Sequence, residues 1–116
     1  IRRFNYNCSR KDKLIFITDQ EYTTLVTNEM KRIYDYVGET YGEDIDLELG
    51  DGILKITLVD DSKLIVSRQA PVKQLWLAAR HGGFHFNYKD NQWVDSKSGE
   101  EILTMMSRFI DTSLEE

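Results

Sequence analysis

Carboxylates are the commonest chemistry-bearing side chains in this chain, and they are unevenly spread. Between Leu14 and Asp51 there are ten (Asp19, Glu21, Glu29, Asp35, Glu39, Glu43, Asp44, Asp46, Glu48 and Asp51) against the two bases Lys31 and Arg32. From Gly52 onward nine acids face eight bases. The acidic field therefore belongs to one part of the fold, where it attracts cations or basic partners and repels nucleic acid. Ionised carboxylates are hard oxygen ligands for metal ions in water. Spacing by two puts Asp44, Asp46 and Glu48 on one face of a strand, while spacing by four puts Asp35 and Glu39 one helical turn apart. Sites of this open kind hold metal weakly and with little selectivity. The competing reading is a solvated face, with Lys31 and Asp35 as an ordinary helix ion pair.

Other chemistry is sparse. His81 and His85 are four apart, but Gly82-Gly83 intervenes, so no helix aims both at one metal; His81 is expected in a loop and His85 on the surface. Cys8 is single and cannot form an internal disulfide or by itself hold zinc or an iron–sulfur cluster. No phosphate-cradling glycine loop, H-E-x-x-H helix or nucleophile with a positioned base is present, which argues against a hydrolase. Trp76 stands between Leu75 and Leu77, so alternation places it on the face opposite those core residues. An exposed Trp is a candidate anchor for a protein partner. Arg68 and Gln69 in the preceding loop, with Gln74, are expected to supply polar contacts around it, and His85 to share its face. The alternative is a Trp partly covered by Arg68 and His85. Trp93 is assigned to the core.

The elements that must position these groups follow from periodicity. Thr18 with Glu21 is a capping-box pattern, and Tyr22, Val26, Met30, Ile33, Val37 and Tyr41 then recur at steps of three or four. That is a helix of about six turns, ended by Gly42 and the acids after it. Asp44 to Leu49 alternates as a strand with Ile45, Leu47 and Leu49 inward, and Gly50-Asp51-Gly52 turns it into a hairpin with Ile53 to Val59. A turn at Asp60-Asp61 leads to Leu64-Ile65-Val66, and further strands are expected at Gln74 to Ala78, Phe84 to Tyr88 and Gln92 to Val94. Ser98 with Glu101 reads as a second capping box, before the stripe Ile102, Leu103, Met105, Met106, Phe109 and Ile110. Two one-faced helices and a one-faced sheet bury all three apolar faces only if both helices pack on one side of the sheet. The expected fold is therefore α+β, a two-layer sandwich with a mostly antiparallel sheet of about six strands, its other face open.

At 116 residues the chain is one domain's worth. No apolar run is long enough to span a bilayer. Ile1 to Lys13 carries Arg2, Arg3, Arg10, Lys11 and Lys13 against Asp12 and is read as a tail of uncertain origin, preceding a domain over 14–116.

In the order Ser67-Arg68-Gln69, Gln74-Leu75-Trp76-Leu77 and Gly82-Gly83-Phe84-His85-Phe86-Asn87-Tyr88-Lys89-Asp90-Asn91-Gln92-Trp93, after Asp44-Ile45-Asp46-Leu47-Glu48 and before Ser98-Gly99-Glu100, the sequence resembles the bacterial branch of the frataxin family over essentially the whole domain. The resemblance implies weak binding of iron (Fe2+ or Fe3+) at surface carboxylates: Asp19, Glu21, Asp35, Glu39, Glu43, Asp44, Asp46 and Glu48. It also implies docking onto the cysteine desulfurase and scaffold protein of iron–sulfur cluster assembly, with Arg68, Gln69, Gln74, Trp76 and His85 facing the partner. The implied role is iron donor or regulator rather than enzyme, as a monomer that iron can drive to oligomers, in the bacterial cytoplasm or alternatively the mitochondrial matrix. An iron-oxidising or iron-storage role at the same ridge is the alternative. A nucleic-acid role, which exposed sheet aromatics would allow, is disfavoured by the acidity. Where that family commonly has adjacent acidic pairs late in the first helix and a histidine in its first turn, this chain reads Tyr34-Asp35, Gly38-Glu39 and Tyr22.

Overall fold

The structure, a computed structural model, describes residues 17–115. The expected tail over 1–13 and Cys8 lie outside those residues. Helix α1 (Asp19–Tyr41) opens on the capping box read from the sequence: the Thr18 hydroxyl accepts the Glu21 N–H at 3.0 Å, and the Glu21 carboxylate accepts the Thr18 N–H at 2.8 Å. Its stripe Tyr22, Val26, Met30, Ile33 and Val37 is buried. At Gly42 the chain turns to φ +47, a conformation L side chains avoid, and the helix ends there.

A short 3-10 turn (Gly42–Asp44) leads into six strands: β1 (Asp46–Gly50), β2 (Ile53–Thr57), β3 (Lys63–Gln69), β4 (Gln74–Ala79), β5 (Gly82–Lys89) and β6 (Gln92–Asp95). Each pairs antiparallel with the next, so the sheet order is the chain order. Two of the hairpins close on two-residue loops in the left-handed region, Asp51-Gly52 and Asp90-Asn91. Their primed-type twist matches that of the flanking strands. Helix α2 (Ile102–Glu115) then returns across the sheet.

Both helices lie on one face. The Tyr22 ring of α1 meets Trp93 edge-on at 6.2 Å, and Phe109 of α2 meets Phe84 at 5.7 Å. Leu54, Ile56, Leu64, Val66, Leu75, Leu77 and Phe86 complete the sheet's side of the core. Each such aliphatic, fully buried, is worth about 1.5–3 kcal/mol. Arg32 pairs with Glu101 and Tyr41 with Asp111, so the two helices run in the same direction.

Four local expectations are corrected. Asp44 belongs to the 3-10 turn and β1 begins at Asp46, because the helix needs that turn to reverse toward the sheet. Leu49, expected inward, is 45% exposed, since β1 is an edge strand and its end near the hairpin has a neighbour on one side only. Val59 lies outside β2, where Leu58 and Ser62 close the next turn by Leu58 N–H to Ser62 C=O at 2.8 Å. The second capping box does not form. Ser98 is bound to Asp95 through its N–H and hydroxyl, both at 2.8 Å, and Glu101 itself caps α2 by accepting the Thr104 N–H at 3.1 Å.

Candidate functional site

Two surfaces carry the candidate residues. The first is the acidic corner where α1 passes through the 3-10 turn into β1. Glu39 lies in the last turns of α1, Glu43 and Asp44 in the 3-10 turn, and Asp46 and Glu48 on β1. All five are exposed. The carbonyl end of a helix carries partial negative charge, and α1 has no base in its last turn to offset it. The corner is therefore a place where negative field is concentrated. Glu48 has a weak cross-strand partner in Lys55 at 3.8 Å; no ion pair joins Glu39, Glu43, Asp44 or Asp46 to another described residue.

The remaining predicted ligands do not converge there. Asp35 is paired with Lys31 at 2.8 Å, the helix ion pair that was the competing reading. Asp19 and Glu21 sit at the opposite end of α1, about 30 Å from Glu39 at 1.5 Å per residue. Glu21 is occupied in the capping box, and Asp19 meets Lys73 at 3.0 Å. Among the described residues no three of His, Cys, Asp and Glu are grouped closely enough to hold an ion. What the corner offers a cation is one or two carboxylates completed by water.

The second surface is the open face of the sheet. Trp76 on β4 and His85 on β5 are directly opposite, and their rings stack with centroids 4.3 Å apart at 11°. The Trp76 indole N–H donates to the Gln74 side-chain carbonyl at 2.8 Å, and the Gln74 amide donates to Asn87 at 3.0 Å. Gln69 lies at the end of β3, with its amide on the Ser67 hydroxyl at 3.3 Å. Gln69, Gln74, Trp76 and His85 thus share one face, with Trp76 half-buried by the imidazole. Trp93 is in the core.

Arg68 departs from expectation. It pairs with Leu75 while its neighbour Ser67 pairs with Trp76, so it takes the helix-side pleat at the end of β3. Its side chain lies against Gly52 of the β1–β2 turn, where an added Cβ would stand 2.7 Å from Nε. Trp76 is covered by His85 alone of the two residues proposed.

Sequence reasoning missed Asn87 and the Glu29–Arg32–Glu101 cluster. Counting by two from His85 reaches Asn87; nothing local announces that Arg32, bound to Glu29 at 2.6 Å, also reaches the start of α2. His81, in the β4–β5 turn, lies tilted at 30° against Phe109 with ring centroids 4.5 Å apart, away from His85's face. Tyr22, an apolar-stripe position in the sequence pattern, also carries a polar role. Its hydroxyl donates to the Gln74 carbonyl at 2.7 Å and accepts the Gln69 N–H at 2.9 Å, tying α1 to the strand ends beside Trp76. Burial raises the Tyr22 pKa, partly opposed by the Gln69 N–H.

Parallel helices on one face of a six-stranded meander, with an acidic corner at its edge and an aromatic platform on its open face, define a small α+β module whose candidate residues lie on two surfaces. The comparisons place that module. The profile of the frataxin-like domain matches residues 15–116. An iron–sulfur cluster assembly protein CyaY of Ralstonia nicotianae is 39% identical over 102 residues, covering 85% of this chain and 90% of that protein. The protein of the same name from Tolumonas auensis is 36% identical over 89 residues, covering 77% and 85%. Among solved structures, frataxin of Psychromonas ingrahamii superposes with a TM-score of 0.76 at 31% identity, over 86% of this chain and 94% of that one. Trimeric frataxin of Saccharomyces cerevisiae, complexed with ferrous iron, shares the fold at a TM-score of 0.66 and 19% identity, over 89% and 94%. This chain belongs to the frataxin family.

Proposed function

We propose that this protein binds iron as cargo and serves iron–sulfur cluster assembly by engaging a cysteine desulfurase and its scaffold protein, as iron donor, regulator or both. The observation that carries the reading is the coverage of its relatives: proteins named for iron–sulfur cluster assembly align at 34–39% identity with 77–86% of this chain. The surface layout agrees with it. On this reading Glu39, Glu43, Asp44, Asp46 and Glu48 attract hydrated iron and a basic patch of the desulfurase. Trp76, held by His85 and Gln74, faces the scaffold. An aromatic fixed in that way reaches a partner at low entropic cost. The protein acts through binding rather than catalysis, as a monomer in the absence of iron, in the bacterial cytoplasm.

The test is binding to each partner separately. Removing charge at Asp44, Asp46 and Glu48 should weaken desulfurase binding and spare scaffold binding, while Trp76→Arg should do the reverse. Equal loss to both partners from either variant, or loss to neither, contradicts a two-surface mechanism.

A further inference from the structure

We infer that the outer edge of β1 is a strand-docking site that accepts an extended basic segment of a partner by backbone pairing. The register dictates which backbone groups are on offer. Gly50 and Ile53 close a two-residue turn of the kind in which the first carbonyl accepts the fourth N–H. Consistent with that, the Gly52 carbonyl accepts the Arg68 N–H at 3.1 Å, so even-numbered residues here point toward β3. Hydrogen-bonded and non-bonded pairs alternate along an antiparallel ladder. Asp46, Glu48 and Gly50 therefore exchange bonds with β2, and Leu47 and Leu49 turn their N–H and C=O groups outward. Strand β1 is at the end of the sheet, and no described residue bonds those groups.

Side chains then select the occupant. Asp46 and Glu48 stand exposed on one side of the edge, and Lys55 lies 3.8 Å from Glu48. Leu49, 45% exposed, lies on the other side. A second copy of this chain is disfavoured, because antiparallel β1–β1 pairing would set the acids of both copies against each other. An alternating segment with Arg or Lys toward Asp46 and Glu48 and an apolar residue toward Leu47 and Leu49 satisfies charge, backbone and apolar surface together. The proposal rests on the assembly reading only for where such a segment is met in the cell; the pairing itself is tested without those partners.

The probe is an alternating Arg-Val hexapeptide titrated into the full chain at low salt, read by amide hydrogen exchange. Exchange at Leu47 and Leu49 should slow, with Asp46 and Glu48 unchanged because their amides already bond β2. Asp46→Asn with Glu48→Gln should weaken affinity about two- to thirtyfold, the worth of two exposed ion pairs. Leu49→Pro removes one outward N–H and no ladder bond, and should weaken it about two- to tenfold. Should that variant fold poorly, a peptide N-methylated at alternate residues must lose binding to the unaltered protein. Binding that depends on the acids but is indifferent to Leu49→Pro or to N-methylation, with no protection at Leu47 and Leu49, would overturn strand pairing in favour of plain charge attraction. Failure of the peptide to bind at all would overturn it too. Neither result bears on cluster assembly, and a null result in cluster assembly would not touch the pairing.

Discussion

The Trp76 indole and the His85 imidazole, cross-strand partners on β4 and β5, stack at 4.3 Å on the face the helices leave open. The indole is held from two sides: by the ring beneath it and by the 2.8 Å bond from its N–H to Gln74. A large aromatic fixed in this way outside the core has little to do with holding the fold. Trp76→Arg should therefore cost about 1 kcal/mol, from lost stacking, and several degrees of Tm. Thermal unfolding followed by circular dichroism checks this; a variant that does not fold would return Trp76 to the core.

Tyr22→Phe should be costlier than its single oxygen suggests. The hydroxyl serves the Gln74 carbonyl and the Gln69 N–H at once, 52 and 47 residues away in sequence. Removing it leaves two part-buried backbone groups without their partner, at about 1–3 kcal/mol. Urea unfolding should show the loss at unchanged m-value, and the strand ends beside Trp76 should exchange amide protons faster.

Glu101 makes stability depend on acid. Burial pushes its carboxyl up, but the Thr104 N–H and the Arg32 guanidinium more than offset this, and the net shift is downward. Its folded-state pKa is therefore below its unfolded value near 4.5, so its stabilisation is full above that pH and is lost as pH falls through the folded value. Glu101→Gln should flatten the stability profile below about pH 4.5, and Glu101→Ala should cost about 1 kcal/mol at neutral pH through the lost cap. Denaturation midpoints between pH 3 and pH 7 decide it.

Neutralising Glu39, Glu43, Asp44 and Asp46 should cut iron binding while leaving stability within about 0.5 kcal/mol, because these exposed groups make no ion pair with another described residue. Relief of mutual repulsion can even raise Tm. Replacing Asp19 and Glu21 by Ala, at the far end of α1, should leave iron binding intact and cost stability through the broken capping box. Anaerobic calorimetric titration with Fe2+ separates the two sets.

Much of this was legible from local pattern. The stripe from Tyr22 to Val37, the hairpin at Asp51-Gly52 and the outward side of Trp76 all follow from periods of 3.6 and 2. What was misread turns on end effects and distant contacts. Asp44 continues the strand's alternation in sequence, but the backbone is still reversing there. Ser98 and Glu101 have the right spacing for a box, yet Asp95 claims Ser98 first. Counting by two from Leu64 through Val66 puts Arg68 on the helix side, a signal present in the sequence and hidden by reading the segment as a loop. The reach of Arg32 to Glu101 and of Tyr22 to Gln74 exists only once the chain is folded.

The most direct test of the central claim is the anaerobic rate of cluster formation by purified desulfurase and scaffold, with and without this protein, at fixed iron. The rate should change, and the change should be lost on neutralising Asp44, Asp46 and Glu48 and diminished by Trp76→Arg, both variants remaining folded. An unchanged rate at every iron level, or a change that both variants preserve in full, would contradict it.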